Sequence, residues 1–172
     1  MSIAVGTEAP TFTLPDTDGV EHSLGDAPAT LVVFTCNHCP YALAWHDRIA
    51  AVARDYPDVK VLAINPNDAE RYPRDSFEAM RERVAADGGW PMPYLHDESQ
   101  EVARAYDAKT TPDCFVIDAS GTIAYRGAPD ADYEDPSQNA AWLREALDAV
   151  LAGTEPERAE TQPVGCSIKW KQ

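Results

Sequence analysis

The chain has 172 residues, 44% of them hydrophobic, which is enough for one globular domain with a substantial core and leaves little for a second. A formal net charge of −15 repels polyanions and excludes nucleic acid and anionic membrane surfaces as partners. Four cysteines are too few for a disulfide scaffold, the start Met1-Ser2-Ile3-Ala4-Val5-Gly6 lacks the features of a secretory signal, and no stretch is apolar enough to span a bilayer, so a reducing, cytoplasmic setting is expected.

Pro10-Thr11-Phe12-Thr13-Leu14-Pro15 alternates, meets the turn Asp16-Thr17-Asp18-Gly19 and resumes from Val20 to Leu24, which predicts an N-terminal β-hairpin beside the core. Leu31-Val32-Val33-Phe34, apolar and partly β-branched, predicts a buried strand beginning near Thr30. Beyond Cys36-Asn37-His38-Cys39-Pro40, the residues Ala42, Trp45, Ile49, Val52 and Tyr56 step by three and four along one helix face, with Pro40 in the first turn and Pro57 as the stop. Val59 to Ile64 reads as a second strand covered on both faces. Asp75 followed three residues later by Glu78 fits a helix cap, with Phe77, Met80 and Val84 as the buried stripe and Gly88-Gly89 as the end. A short strand at Pro93 to His96 precedes a second capped helix, started by Asp97-Glu98-Ser99-Gln100 and running through Val102 and Tyr106.

Pro112 to Asp118 and Thr122 to Gly127 form a predicted hairpin around Ala119-Ser120-Gly121. An acidic loop from Ala128 to Ser137 is expected to be solvated, and a last helix runs from about Asn139 to Ala152 with Gly153 as its stop. Residues 1–153 are expected to form the domain and residues 154–172 a C-terminal tail. The element order gives an α/β fold: a central mixed β-sheet flanked by helices, with an N-terminal β-hairpin extension.

The chemistry concentrates at Cys36 and Cys39. A strand that ends in C-x-x-C and opens a helix places two thiols at the positive end of the helix dipole, where a thiolate is stabilised. Zinc needs a second close-spaced ligand pair, and none follows. The pair therefore reads as a redox dithiol, with Cys36 as the exposed nucleophile and Cys39 resolving the mixed disulfide. His38 between them would favour the thiolate when charged. Thr111-Pro112 precedes a central strand, where proline is either a strand starter or a cis residue; if cis, it presents the Thr111 backbone to the dithiol and to an extended substrate. Cys114 reads as a packed thiol or as a partner of Cys166. Trp90 and Tyr41 are candidate lining residues, and His46 and His96 stand alone.

The stretch Ala9-Pro10-Thr11-Phe12-Thr13-Leu14 with Asp18-Gly19, the Cys36/Cys39 dithiol, Thr111-Pro112-Asp113, and Phe115-Val116-Ile117-Asp118 with Gly121 together resemble the redoxin group (AhpC/TSA, TlpA-like) of the thioredoxin superfamily, specifically peroxiredoxin-like proteins that retain a C-x-x-C. The ending Gly165-Cys166-Ser167-Ile168-Lys169-Trp170 resembles the tail of that subgroup. The resemblance implies a thioredoxin-like fold, Cys36 as attacking thiol, Cys39 as resolving thiol and Pro112 as a cis-proline facing them. It also implies a thiol–disulfide oxidoreductase acting on a redox partner protein or small thiol, with no cofactor and no metal.

True peroxiredoxins are similar but carry a Thr and an Arg that polarise the peroxide, and at those two positions this chain has Cys36 and Pro112. The replacements favour dithiol exchange over the alternative of a hydroperoxide-reducing thiol peroxidase. A second alternative is a Cu(I)-binding module using the two thiols as soft ligands, although copper-delivery proteins of this fold place three residues between their cysteines and use a distant His.

Overall fold

The computed structural model describes residues 3–172. Chain order begins with the expected hairpin, β1 (Thr13–Pro15) paired antiparallel with β2 (Glu21–Ser23). β3 (Ala29–Phe34) follows, then α1 (Pro40–Asp55), β4 (Val59–Asn65), α2 (Phe77–Ala86), β5 (Tyr94–His96) and α3 (Glu101–Ala105). The two-residue β6 (Thr110–Thr111) precedes β7 (Asp113–Asp118), β8 (Ile123–Gly127), α4 (Ala141–Leu151) and the two-residue β9 (Cys166–Ser167). The main sheet has the order β5-β4-β3-β7-β8, parallel through β3 and antiparallel beyond it. This is the predicted central mixed sheet, and among the described residues no helix is long and apolar enough to cross a membrane.

Every residue of β3 is buried because successive side chains enter opposite cores. Leu31 and Val33 pack with Trp45, Ile49 and Val52 of α1 and with Leu143 and Leu147 of α4. Val32 and Phe34 join Leu62, Ile64, Phe115, Tyr106 and the hairpin's Phe12 on the other side. A strand covered twice has no polar face, which is why its sequence is a continuous apolar run.

Three local expectations are corrected. Asp75 does not cap α2: Ser76 does, its hydroxyl accepting the Ala79 amide at 3.1 Å, while Asp75 is turned inward and fully buried. The helix started by Asp97 is only α3; Asp97 does bind its first turn, accepting from Ala103 N at 2.8 Å and Val102 N at 3.4 Å, but Gln100, in the left-handed region, shortens the run. The acidic loop is not uniformly solvated, for Asp130 is buried and paired with Arg48 of α1 at 3.0 Å. An unpaired buried arginine would be prohibitive, so the carboxylate beside it is structural.

Asp113 opens β7 without exposure, accepting the Lys109 amide at 3.0 Å and facing Arg126 at 3.3 Å. Burial outweighs both and pushes its carboxyl up to about 6 from the ordinary 3.8. A raised acid favours the fold while it keeps its proton. The unfolded chain loses that proton near the ordinary value and the folded chain only near 6, so this contribution is lost as pH rises through that window. The stability of the wild type relative to Asp113→Asn is expected to fall by about 2.4 kcal/mol between pH 4 and pH 7, read from urea unfolding of both proteins.

The chain after α4 runs back along the sheet. Residues 159–161 lie beside β8, with Arg126 N donating to Ala159 O at 3.1 Å and Thr161 N donating to Arg126 O at 3.0 Å. β9 then pairs antiparallel with β6, Cys166 opposite Thr111, and Ile168 is buried in the second core. Neither β6 nor β9 is visible as a period in the sequence, because two residues carry no period.

Candidate active site

β3 ends at Phe34, and its path is prolonged by Thr35, whose amide donates to Ile64 O at 2.8 Å. Cys36 then leaves the sheet, and Cys39 becomes the N-cap residue of α1, with Pro40 at the first helical position. The turn between them is held from outside by a polar scaffold. Buried Asp75 accepts the Asn37 amide at 2.7 Å, Asn65 Nδ2 at 3.1 Å and Asn67 Nδ2 at 3.0 Å. Asn37 Oδ1 accepts from Tyr94 OH at 2.7 Å and Arg83 Nη1 at 2.9 Å, and the same Arg83 nitrogen donates to the Cys36 carbonyl at 3.0 Å. Asn37 Nδ2 donates to Arg74 O at 2.7 Å. Such a satisfied network fixes the C-x-x-C turn against the β4–α2 connection, α2 and β5.

His38 Nδ1 stands 2.6 Å from Asp75 Oδ2, and its ring stacks on Tyr72 with centroids 5.5 Å apart. On the other side of the turn the Thr111–Pro112 peptide bond is cis. Cys36 Sγ lies 3.3 Å from Thr111 Oγ1, and Cys39 Sγ lies 3.2 Å from the Thr111 carbonyl oxygen. Cys36, Cys39, His38, Thr111 and Pro112, the residues singled out in the sequence, therefore meet at one place.

Cys36 and Cys39 share one buried cluster with Ala42, and each affects the ionisation of the other. Cys39 beside it, burial and the Asp75 charge make Cys36 hold its proton more tightly than an ordinary thiol. Cys39 is shifted the other way, chiefly by the Cys36 thiol beside it and then by Cys166 and the Ala42 amide. While protonated, Cys39 donates to Thr111 O.

Exposure also differs from expectation: Cys36 is 0% exposed, and so is Cys39. The physical reason lies at the far end of the chain. β9 occupies the β6 edge beside the cis bond, and Cys166 packs against Cys36, Cys39 and Ala42. The fit is tight, since a Cβ on Gly165 would lie 2.7 Å from the Thr111 carbonyl carbon. Overpacking of this kind costs about 1–3 kcal/mol. Gly165→Val is accordingly expected to lift β9 and raise the alkylation rate of the dithiol by about tenfold or more, measured by mass spectrometry of iodoacetamide-treated native protein.

All four cysteines are free thiols. Cys114 sits in β7 opposite Val33 and Gly127, in the first core, where burial holds its thiol protonated, whereas Cys166 lies against the dithiol. Tyr41 packs on both the first core and the cysteine cluster. Trp90 stacks on Tyr94 at 4.4 Å beneath Arg83, and so supports the scaffold rather than the sulfurs. His46 lies against Trp90 and His96 against Phe77.

Among the described residues, Cys36, His38 and Asp75 bring one ligand atom each within 4.8 Å of one another and could hold a metal ion. The Asp75 oxygens, however, already accept three N–H groups. Asp75, Asn37, Arg83 and Tyr94 escaped sequence reasoning, because their partners lie far off along the chain.

Residues 5–126 match the AhpC/TSA family. The thiol-disulfide oxidoreductase ResA of Geobacillus kaustophilus is 28% identical over 71% of this chain and 68% of its own length. The crystal structure of hypothetical protein SMc02350 from Sinorhizobium meliloti 1021 superposes with a TM-score of 0.91 at 39% identity, covering 99% of this chain and 97% of that one. The exposed lipoprotein thioredoxin Etrx1 of Streptococcus pneumoniae shares the fold at a TM-score of 0.61 and 18% identity, over 77% of this chain and 98% of its own. With the mixed sheet, the flanking helices and a match across well over half its length, the chain is a thioredoxin-fold redoxin and belongs to the AhpC/TSA family.

Proposed function

We propose that this protein is a thiol–disulfide oxidoreductase that cycles Cys36 and Cys39 between dithiol and disulfide. The observation that carries the reading is the pair of thiols clustered at the mouth of a βα turn, both in contact with Thr111 beside the cis peptide bond. The Cys36 thiol gives up its proton, and the resulting thiolate attacks one sulfur of a substrate disulfide. The other substrate sulfur leaves as a thiol. Cys39 then attacks the Cys36 sulfur, releasing the second substrate thiol and closing the Cys36–Cys39 disulfide. Two electrons and two protons pass to the substrate.

The reduced protein is expected to reduce insulin or a small aromatic disulfide while losing two hydrogens at the Cys36–Cys39 pair. Rapid consumption of hydroperoxide, with disulfides left intact, would overturn the assignment in favour of the peroxidase reading.

In this proposal His38 tunes the couple. Its Nδ1 stands 2.6 Å from Asp75 Oδ2 at the edge of the dithiol turn, and a positive charge there would favour the thiolate and hence the reduced form. His38→Ala is expected to lower the reduction potential by about 30 mV, the equivalent of about 1.4 kcal/mol, and a redox titration against glutathione that shows no shift rules the tuning role out.

A further inference from the structure

Cys166 is the unexplained group beside the dithiol. It is half-exposed, whereas Cys36 and Cys39 are shut away from solvent. Its position is built: it stands opposite Thr111 in the β6–β9 pair, and Thr111 is the residue whose hydroxyl and carbonyl touch the two dithiol sulfurs. Cys166 packs against the buried cluster of Cys36, Cys39 and Ala42, so a partly exposed thiol stands against the two buried ones.

The chain beyond Cys166 is anchored. Ile168 N donates to Lys109 O at 3.2 Å, Lys169 N to Asn67 Oδ1 at 2.9 Å, and Lys171 N to Gln100 Oε1 at 2.9 Å. Gln100 Nε2 in turn donates to Lys169 O at 2.9 Å. The anchors hold Cys166 at the dithiol like a substrate cysteine that never leaves.

We infer that Cys166 is a relay thiol that carries the buried Cys36–Cys39 disulfide to the surface, where a low-molecular-weight thiol reduces it. The inference rests on the dithiol cycle proposed above. In the first step the Cys166 thiolate attacks the Cys39 sulfur of the Cys36–Cys39 disulfide. The Cys39–Cys166 bond forms, the Cys36–Cys39 bond breaks, and Cys36 leaves as a thiolate that takes up the proton Cys166 released. Nothing is oxidised or reduced overall. In the second step an external thiol attacks the Cys166 sulfur, forming a mixed disulfide and freeing Cys39 as a thiol. A second external thiol then attacks the external sulfur of that mixed disulfide, so that Cys166 departs as a thiol and the two external thiols leave joined. Two external thiols have been oxidised and one protein disulfide reduced. The exchange is timed by charge. In the reduced protein burial and the Cys39 thiolate push Cys166 up to about 11, and oxidation of Cys39 removes that charge as the relay is needed.

The test uses the full chain oxidised with diamide, quenched in acid, alkylated and mapped by mass spectrometry. Wild type is expected to yield both Cys36–Cys39 and Cys39–Cys166 disulfides, and Cys36→Ser to yield Cys39–Cys166 alone. Oxidised Cys166→Ser is expected to be reduced by glutathione about tenfold or more slowly than oxidised wild type. The relay is overturned if Cys166 is alkylated throughout in both proteins, or if Cys166→Ser is reduced at the wild-type rate. A wild type that forms Cys36–Cys39 but shows either result loses the relay and keeps the cycle. A wild type that forms no Cys36–Cys39 disulfide loses both.

Discussion

Cys39→Ser is expected to accumulate a mixed disulfide between Cys36 and its substrate and to turn over about a thousandfold or more slowly than wild type. In the wild type the Cys39 sulfur already lies in one buried cluster with Cys36, at the N-cap of a helix and facing the Thr111 carbonyl. A positioned intramolecular nucleophile acts at effective molarities that no external thiol reaches. Serine cannot stand in, since its hydroxyl is neither ionised at neutral pH nor a leaving group in sulfur exchange. Cys36→Ser should differ in kind: with the attacking sulfur gone, no mixed disulfide forms at that position. Intact-mass measurement separates the two variants directly. If Cys39→Ser turns over small disulfides at the wild-type rate, resolution does not run through Cys39.

Asp130→Ala is expected to destabilise the fold by about 3–5 kcal/mol. Its carboxylate is the only formal charge paired with buried Arg48 among the described residues, with Arg48 Nη1 at 3.0 and 3.1 Å from the two oxygens. The same carboxylate accepts Trp45 Nε1 at 2.9 Å and the Ala140 amide at 2.9 Å, so it joins α1 to the start of α4. Alanine would leave a guanidinium buried without its counter-charge, held only by the Asp132 and Tyr133 carbonyls at 2.9 and 2.6 Å. Such a loss is a large share of the whole stability of an ordinary domain. Arg48→Met in the Asp130→Ala background should recover part of it, because an apolar side chain has no charge to compensate. Urea unfolding of the four proteins of that cycle measures the coupling; a single-mutant loss under about 1 kcal/mol contradicts the role of Asp130.

What could be read without coordinates was what local chemistry repeats. The β3 run is apolar throughout because both of its faces are covered, and the α1 stripe appears at helical spacing because α1 is covered on one face. The dithiol announced itself through two residues of spacing at the end of that run. Asp75 was misread because Asp followed by Glu three residues on is a sound capping pattern, and only Asn37, Asn65 and Asn67 closing around it show that the carboxylate faces inward. The acidity of the loop at Asp130 was legible, but not its buried partner 82 residues earlier. The exposure of Cys36 was misjudged for a related reason. Access to a thiol depends on whatever covers it, and here the cover is a two-residue strand from a tail with no periodicity, near the last residue of the chain.

That distance along the chain has a consequence during synthesis. The dithiol leaves the ribosome early, but its walls arrive piecemeal: Asp75 and Arg83 first, then Tyr94, then Thr111, and finally Cys166. Until the closing segment is translated and seated, the nascent protein carries two sulfurs at an unfinished edge, open to oxidants and to stray cysteines of other polypeptides. Maturation of this protein is thus the sealing of its own pair of thiols.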